Sequence, residues 1–267
     1  MVSPAELRDA IAVGSEEDAQ LASEDRKRLV AKENQLRSIL MTQKLIPPGI
    51  RGPLKFHLKP QAADFLGGPF NGQCFRQFIF IELLNISKFS AIVETGTYRG
   101  STTLFMAKNT TLPIYTVEFD PEHFAFAKYR LREYSRVSIK RGDSRSFLKS
   151  LSFKADDRLF FYLDAHWRED LPLAEEVDYI VNRFCSFVIM IDDFLVPGDA
   201  GYSYDDYGPG KQLSLRDFPF HKNSKVNCYF PGCPSQLESG TKRGCIVLAS
   251  DDMRKDLESV TSLSLMS

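Results

Sequence analysis

From Phe70 onward, short apolar runs alternate with helical stretches, and no other feature of the chain restricts its fold so strongly. The runs are Ser90–Val93 (SAIV), Ile114–Val117 (IYTV), Val137–Ile139 (VSI), Leu159–Leu163 (LFFYL), Phe187–Ile191 (FVIMI) and Gly244–Leu248 (GCIVL). Each is nearly continuous in apolar residues rather than alternating, as expected of strands covered on both faces. Between them, Ser101–Lys108, Glu122–Tyr134, Ser144–Lys149 and Leu173–Phe184 read as helices. This order predicts an α/β fold: a Rossmann-like, doubly wound, mostly parallel seven-stranded sheet with helices on both faces. Ligands of such sheets bind outside the carboxyl ends of the strands.

The chain before this region has a different character. Residues 3 to 45 are rich in Glu, Lys, Arg, Ala and Leu, with candidate N-caps at Ser3 and Ser15 and apolar positions Leu29, Leu36, Ile39 and Leu40 at helical spacing. Pro47, Pro48, Gly49, Gly52 and Pro53 then read as a linker. The expected division is therefore 1–50 as a helical appendage with its linker and 51–267 as the main domain. The appendage packs on the main domain or on a second copy, giving a homodimer through its helices.

With 34 basic and 35 acidic residues the formal net charge is −1, so neither nucleic acid nor an anionic membrane surface is implied as a partner. No apolar stretch approaches the roughly 18 residues of a membrane span, and acidic residues fill the start where a signal peptide would be apolar. A cytoplasmic protein is expected. The cysteines, Cys74, Cys185, Cys228, Cys233 and Cys245, are odd in number and lack a CxxC pair, which suits reduced thiols. Cys228 and Cys233 read as ordinary loop residues, since no second ligand pair of zinc spacing accompanies them.

The residues directly after the apolar runs are unusually polar. After the first comes Glu94-Thr95-Gly96-Thr97-Tyr98-Arg99-Gly100-Ser101-Thr102. Gly96 permits a tight turn and close backbone approach, while Gly100 and Ser101 open a helix whose first amides suit a carboxylate. The GxGxxG spacing of nicotinamide enzymes is missing, which disfavours a dehydrogenase. The second run ends in Glu118-Phe119, and an acidic side chain about 20 positions past the glycine turn can accept both hydroxyls of a ribose. After the third, Asp143 and Ser144 either hold the edge of an adenine ring or simply begin a helix, with Asp143 as its N-cap.

Taken in order, Glu94 to Ser101, Glu118 and Asp143 resemble the successive cofactor motifs of class I S-adenosylmethionine (SAM) dependent methyltransferases. The resemblance covers about residues 70 to 250. It implies that the Gly96 turn, with Glu94, Thr97, Tyr98, Gly100, Ser101 and Thr102, holds the methionyl part of SAM. It also implies that Glu118 and Phe119 hold the ribose end and that Asp143 with Ser144 holds the adenine.

The fourth and fifth runs end in Asp164-Ala165-His166-Trp167 and Asp192-Asp193-Phe194. On parallel neighbours, Asp164, Asp192 and Asp193 converge and suit a hard divalent cation such as Mg2+. The alternative is that Asp164 closes the SAM pocket while Asp192 or Asp193 caps the next loop. An Asp followed by Asp-Asp in these places resembles the metal-dependent sugar and macrolide O-methyltransferases of natural-product biosynthesis. That resemblance implies a base shortly after the first metal aspartate, where His166 stands, its ordinary pKa near 6.5 suiting proton removal from a hydroxyl. Asp164 and His166 are thus the expected catalytic pair, acting on a hydroxylated small molecule. A long loop, Leu195–Arg243, brings Tyr202, Tyr204, Asp205, Asp206 and Tyr207 as substrate-facing residues, a lid or a floppy surface segment. Cation-independent methyl transfer to oxygen or nitrogen, and a non-catalytic SAM-binding scaffold, are the rival readings.

Overall fold

The computed structural model describes residues 27, 28, 30–32, 34, 35, 46–59, 64, 67–165 and 170–266. The chain divides into two units, Met1–Pro47 and Pro48–Ser267. In the first, the described residues 27, 28, 30–32, 34 and 35 are helical. Ser3, Ser15, Leu29, Leu36, Ile39 and Leu40, which carry the expectation of an appendage and a dimer, lie outside the described residues.

The second unit is built on one eight-stranded sheet: β1 Ala91–Thr95, β2 Ile114–Glu118, β3 Val137–Arg141, β4 Arg158–Leu163, β5 Ser186–Asp192, β6 Val226–Pro231, β7 Cys245–Ser250 and β8 Leu263–Leu265, in the order β3-β2-β1-β4-β5-β7-β6-β8. The pairings from β3 to β5 are parallel, and those of β7 with β5, β6 with β7 and β8 with β6 are antiparallel. Every residue of β1, β5 and β7 is buried, which is why these strands read as unbroken apolar runs.

Alternate residues feed two cores. Val93, Phe161, Ile189 and Leu248 pack with Leu173, Val177 and Ile180 of the helix Leu173–Arg183. Ile92, Phe160, Val188 and Val247 pack with Ile79, Phe80 and Leu83 of the helix Cys74–Ile86. Each fully buried Phe or Ile contributes about 1.5–3 kcal/mol, so the two-sided burial of the central strands dominates the unit's stability.

The structure departs from the expected layout at several places. The sheet has eight strands rather than seven, and the stretch read as one long loop from Leu195 to Arg243 contains β6. Its sequence, VNCYFP, mixes Asn and Pro with apolar residues and so lacks the signature of the central strands. Pro231 is accommodated because it closes the strand opposite Leu263 of the three-residue β8. Cys228 accordingly lies in a strand and is buried, and burial lifts its thiol to about 11.

The expected linker, in turn, is largely helix, α1 Pro48–Leu58. Pro48 suits the first helical position, and Gly52 is a contact rather than a break. A Cβ at Gly52 would stand 2.5 Å from the Phe126 backbone nitrogen, so the glycine lets this helix lie backbone to backbone on the helix Pro121–Arg130.

Candidate active site

The carboxyl ends of β1, β2, β4 and β5 bring most of the expected residues to one edge of the sheet. The glycine turn after β1 is fixed from both sides. Gly96 has φ 83°, and a Cβ there would lie 2.2 Å from the Asp164 carbonyl oxygen, so no other residue fits. The amides of Gly96 and Thr97 both donate to the Val117 carbonyl at 3.1 Å. Gly100, at φ 73°, donates to the Thr97 carbonyl at 2.8 Å and starts the helix Ser101–Asn109 without a side-chain cap. Ser101 Oγ donates to Asp64 at 2.9 Å and accepts from Arg130 at 3.0 Å, while Thr102 Oγ1 accepts from the Phe70 amide at 3.2 Å.

Glu94 is 1% exposed and supports the turn from beneath. Its Oε2 accepts from the hydroxyls of Thr103 at 2.5 Å and Thr116 at 2.6 Å, and burial pushes its carboxyl up to about 7. Glu118 shapes the rim: its two oxygens accept from the Tyr98 amide at 2.6 Å and the Asp120 amide at 2.8 Å. Burial lifts it to about 7 as well. Next to it Phe119 stands 78% exposed, and the Tyr98 ring meets the His123 ring edge-on at 4.3 Å.

Asp143 is the N-cap of the helix Ser144–Lys149, accepting from the Ser146 amide at 3.0 Å, and Arg145 pairs with it at 2.7 Å. This bond to Arg145 holds the Asp143 carboxyl below its usual range. The N-cap alternative thus describes its present contacts. Ser144 is buried against Glu176, which the sequence reading missed. Glu176 is 1% exposed, and burial lifts it to about 7 although Ser144 and Thr95 pull the other way. A carboxylate at the i+3 position from Leu173, on the stripe that continues through Val177 and Ile180, was the available signal.

The acidic edge beside the turn is occupied by two arginines. Asp192 is 1% exposed and ion-paired with Arg76, itself 1% exposed. The same Asp192 oxygen accepts the Asp193 amide at 2.9 Å, and its second oxygen accepts Tyr162 OH at 2.6 Å and Asn71 Nδ2 at 3.0 Å. Asp193 adopts a left-handed φ of 55° and pairs with Arg243 Nε at 2.6 Å. Arg243 also bridges to Asp205, whose other oxygen takes the Tyr207 hydroxyl. Asp164 is half-buried near this group, and desolvation, reinforced by Asp193 and Glu94, holds its carboxyl above the ordinary value.

The segment after β5 is folded rather than floppy: the Asp205 amide donates to the Asp193 carbonyl at 2.9 Å, the Leu195 amide donates to the Leu213 carbonyl at 2.7 Å, and the buried Tyr202 donates to the Cys233 carbonyl at 2.9 Å. His166 and Trp167 lie outside the described residues.

These contacts decide whether the aspartates suit a divalent cation. Mg2+ wants near-octahedral oxygen ligands at about 2.0–2.1 Å with lone pairs free to face it. Asp192 has both oxygens committed to donors, and Asp193 and Asp205 share a guanidinium. Among the described residues no group of three or more His, Cys, Asp or Glu side chains is arranged to hold a metal. The arrangement does not fit the cation expected for Asp164, Asp192 and Asp193. Neither guanidinium was foreseeable from local patterns, because Arg76 is the one cation in an apolar stretch (CFRQFIFIELL) and Arg243 is far along the chain.

No family model and no curated protein matches the sequence. Solved structures do match. A Klebsiella pneumoniae protein assigned as an O-methyltransferase superposes with a TM-score of 0.50 at 20% identity, covering 82% of this chain and 96% of that one. The cofactor-bound Rv0187 from MTB gives 0.50 at 18% identity, covering 78% and 99%. A Staphylococcus aureus protein assigned as a caffeoyl-CoA O-methyltransferase gives 0.50 at 15% identity, covering 66% and 82%. The chain therefore shares the mostly parallel α/β fold of these structures. No helix among the described residues is long and apolar enough to cross a membrane.

Proposed function

We propose that the chain is a SAM-dependent methyltransferase that methylates a hydroxyl oxygen of a small molecule, such as a sugar or another natural product. One observation carries the reading: the Gly96 turn is pressed onto the Asp164 backbone while Glu118 organises the neighbouring strand end, so three carboxyl ends meet at one edge of the sheet. Bound SAM would supply an electrophilic methyl group on a sulfonium sulfur. The Gly96 turn and the first amides of the helix Ser101–Asn109 would hold its amino-acid end. Glu118, with lone pairs beyond those used by the two amides, would accept the ribose hydroxyls, and Phe119, Asp143 and Ser144 would hold the base.

His166, two positions after Asp164, removes the acceptor's proton, and Tyr204 and Asp206 face the acceptor. Assistance by a divalent cation, expected from the sugar-methyltransferase resemblance, finds no fitting donor set among the described residues. Association of two copies through residues 1–47 remains part of the proposal.

Calorimetry with S-adenosylhomocysteine, paired with a mass-spectrometric screen of hydroxylated acceptors in the presence of SAM, tests the reading. The expected result is micromolar cofactor binding and a 14 Da gain on an acceptor, the mass of one added methylene. Absence of binding at millimolar cofactor refutes the proposal. Binding without turnover on any acceptor favours a non-catalytic scaffold instead.

A further inference from the structure

Where the resemblance expects a cation, two guanidiniums stand. Both are built in rather than draped over the surface. Arg76 is 1% exposed on the helix Cys74–Ile86, and besides pairing with Asp192 it donates to the Arg243 carbonyl. Gln73 grips the same residue twice, its Nε2 donating to the Arg243 carbonyl at 2.9 Å and its Oε1 accepting the Arg243 amide at 2.7 Å. The backbone of Arg243 is thus fixed by one helix end while its side chain joins Asp193, directly after β5, to Asp205 on the following segment. The Ser203–Arg243 bridge and the Asp205 amide, which donates to the Asp193 carbonyl at 2.9 Å, hold these partners in register.

A planar guanidinium with five donors matches two carboxylates at once and cannot be deprotonated. It does for Asp193 and Asp205 what a metal ion would otherwise do: it gathers carboxylates that repel one another and gives them a fixed positive centre. A divalent cation approaching this edge meets a charge of its own sign and carboxylate oxygens already spoken for.

We propose that Arg76 and Arg243 take the place of the divalent cation in this chain, Arg243 filling the carboxylate cradle formed by Asp193 and Asp205, so that the site binds no metal ion. The proposal deepens the methyltransferase reading, because it fixes how the acidic edge is neutralised; its test does not need methyl transfer to be observed.

The experiment is a titration of the full-length chain with Mn2+, followed by loss of the free-ion signal in electron paramagnetic resonance. The wild type and Arg243→Ala are compared, each with and without S-adenosylhomocysteine, and circular dichroism checks that each is folded. The wild type is expected to sequester no Mn2+ up to 1 mM, and Arg243→Ala, which uncovers two carboxylates, to bind one ion at least tenfold more tightly than the wild type. One ion bound by the wild type below 100 µM overturns the proposal, as does a folded Arg243→Ala that gains no affinity. Should Arg243→Ala not fold, Arg243→Met, which keeps the stem's packing, is titrated in its place and read by the same two outcomes. Failure of the cofactor to bind would instead count against the methyltransferase reading and leave the metal result standing.

Discussion

Replacing Glu94 by Gln separates one buried acid from the rest of the molecule and gives a stability difference that can be worked in advance. Glu94 is enclosed under the glycine turn, and its carboxyl rises from 4.5 to about 7, mainly through burial. A raised folded-state pKa means the native chain keeps a proton that the unfolded chain releases. The stability from this group is fully present below pH 4.5, declines as pH rises toward 7, and is gone above it. At 1.36 kcal/mol per unit the whole swing is about 3 kcal/mol. Glutamine keeps the shape but has no such proton, so the wild-type minus variant difference in unfolding free energy should change by about 3 kcal/mol between acid and neutral pH. Urea unfolding of the cofactor-free chain at a series of pH values from 4.5 to 8.5, followed by circular dichroism, measures it. Glu118 and Glu176, also raised to about 7, stay in both proteins, so their own burial drops out of the comparison, leaving only the weak Glu94–Glu118 repulsion. An identical pH profile for wild type and E94Q refutes the reasoning.

Two further outcomes are expected. Gly96→Ala places a Cβ 2.2 Å from the Asp164 carbonyl and demands a left-handed alanine, so cofactor affinity should fall at least tenfold in calorimetry, with about 1–3 kcal/mol lost in stability; unchanged affinity would detach the turn from the cofactor. Arg76→Met leaves the buried Asp192 without its cation and should cost about 3–5 kcal/mol in urea unfolding, most of it regained when Asp192→Asn is added; a loss under about 1 kcal/mol would mean the pair is not an enclosed one.

The parallel half of the sheet was legible because β1, β4 and β5 are covered on both faces, and such strands announce themselves as apolar runs. β6 was not, since it lies toward the antiparallel margin and carries Asn227 and Pro231 within its six residues. The helix Pro48–Leu58 was hidden for a related reason: local rules read Gly52 and Pro53 as breakers, whereas a tertiary contact with Ala125 and Phe126 makes the glycine a requirement.

The positions of Gly96, Glu118 and the three aspartates at strand tips were legible from their places after apolar runs. Their electrostatic partners were not, because Arg76 and Arg243 stand 167 positions apart in the chain and meet only once the sheet has formed. Spacing rules locate acids at strand tips; they carry no information on which distant cation arrives to balance them.

The margins of the sheet carry a consequence of their own. One border is β3, half exposed and ending in Lys140 and Arg141; the other is β8, only three residues long. A row of unpaired amides and carbonyls invites another chain to add itself, and positive side chains or a very short border discourage that. Both borders are thus defended, one by charge and one by brevity, and a second molecule has no long, flat ribbon on which to continue the hydrogen-bonded ladder.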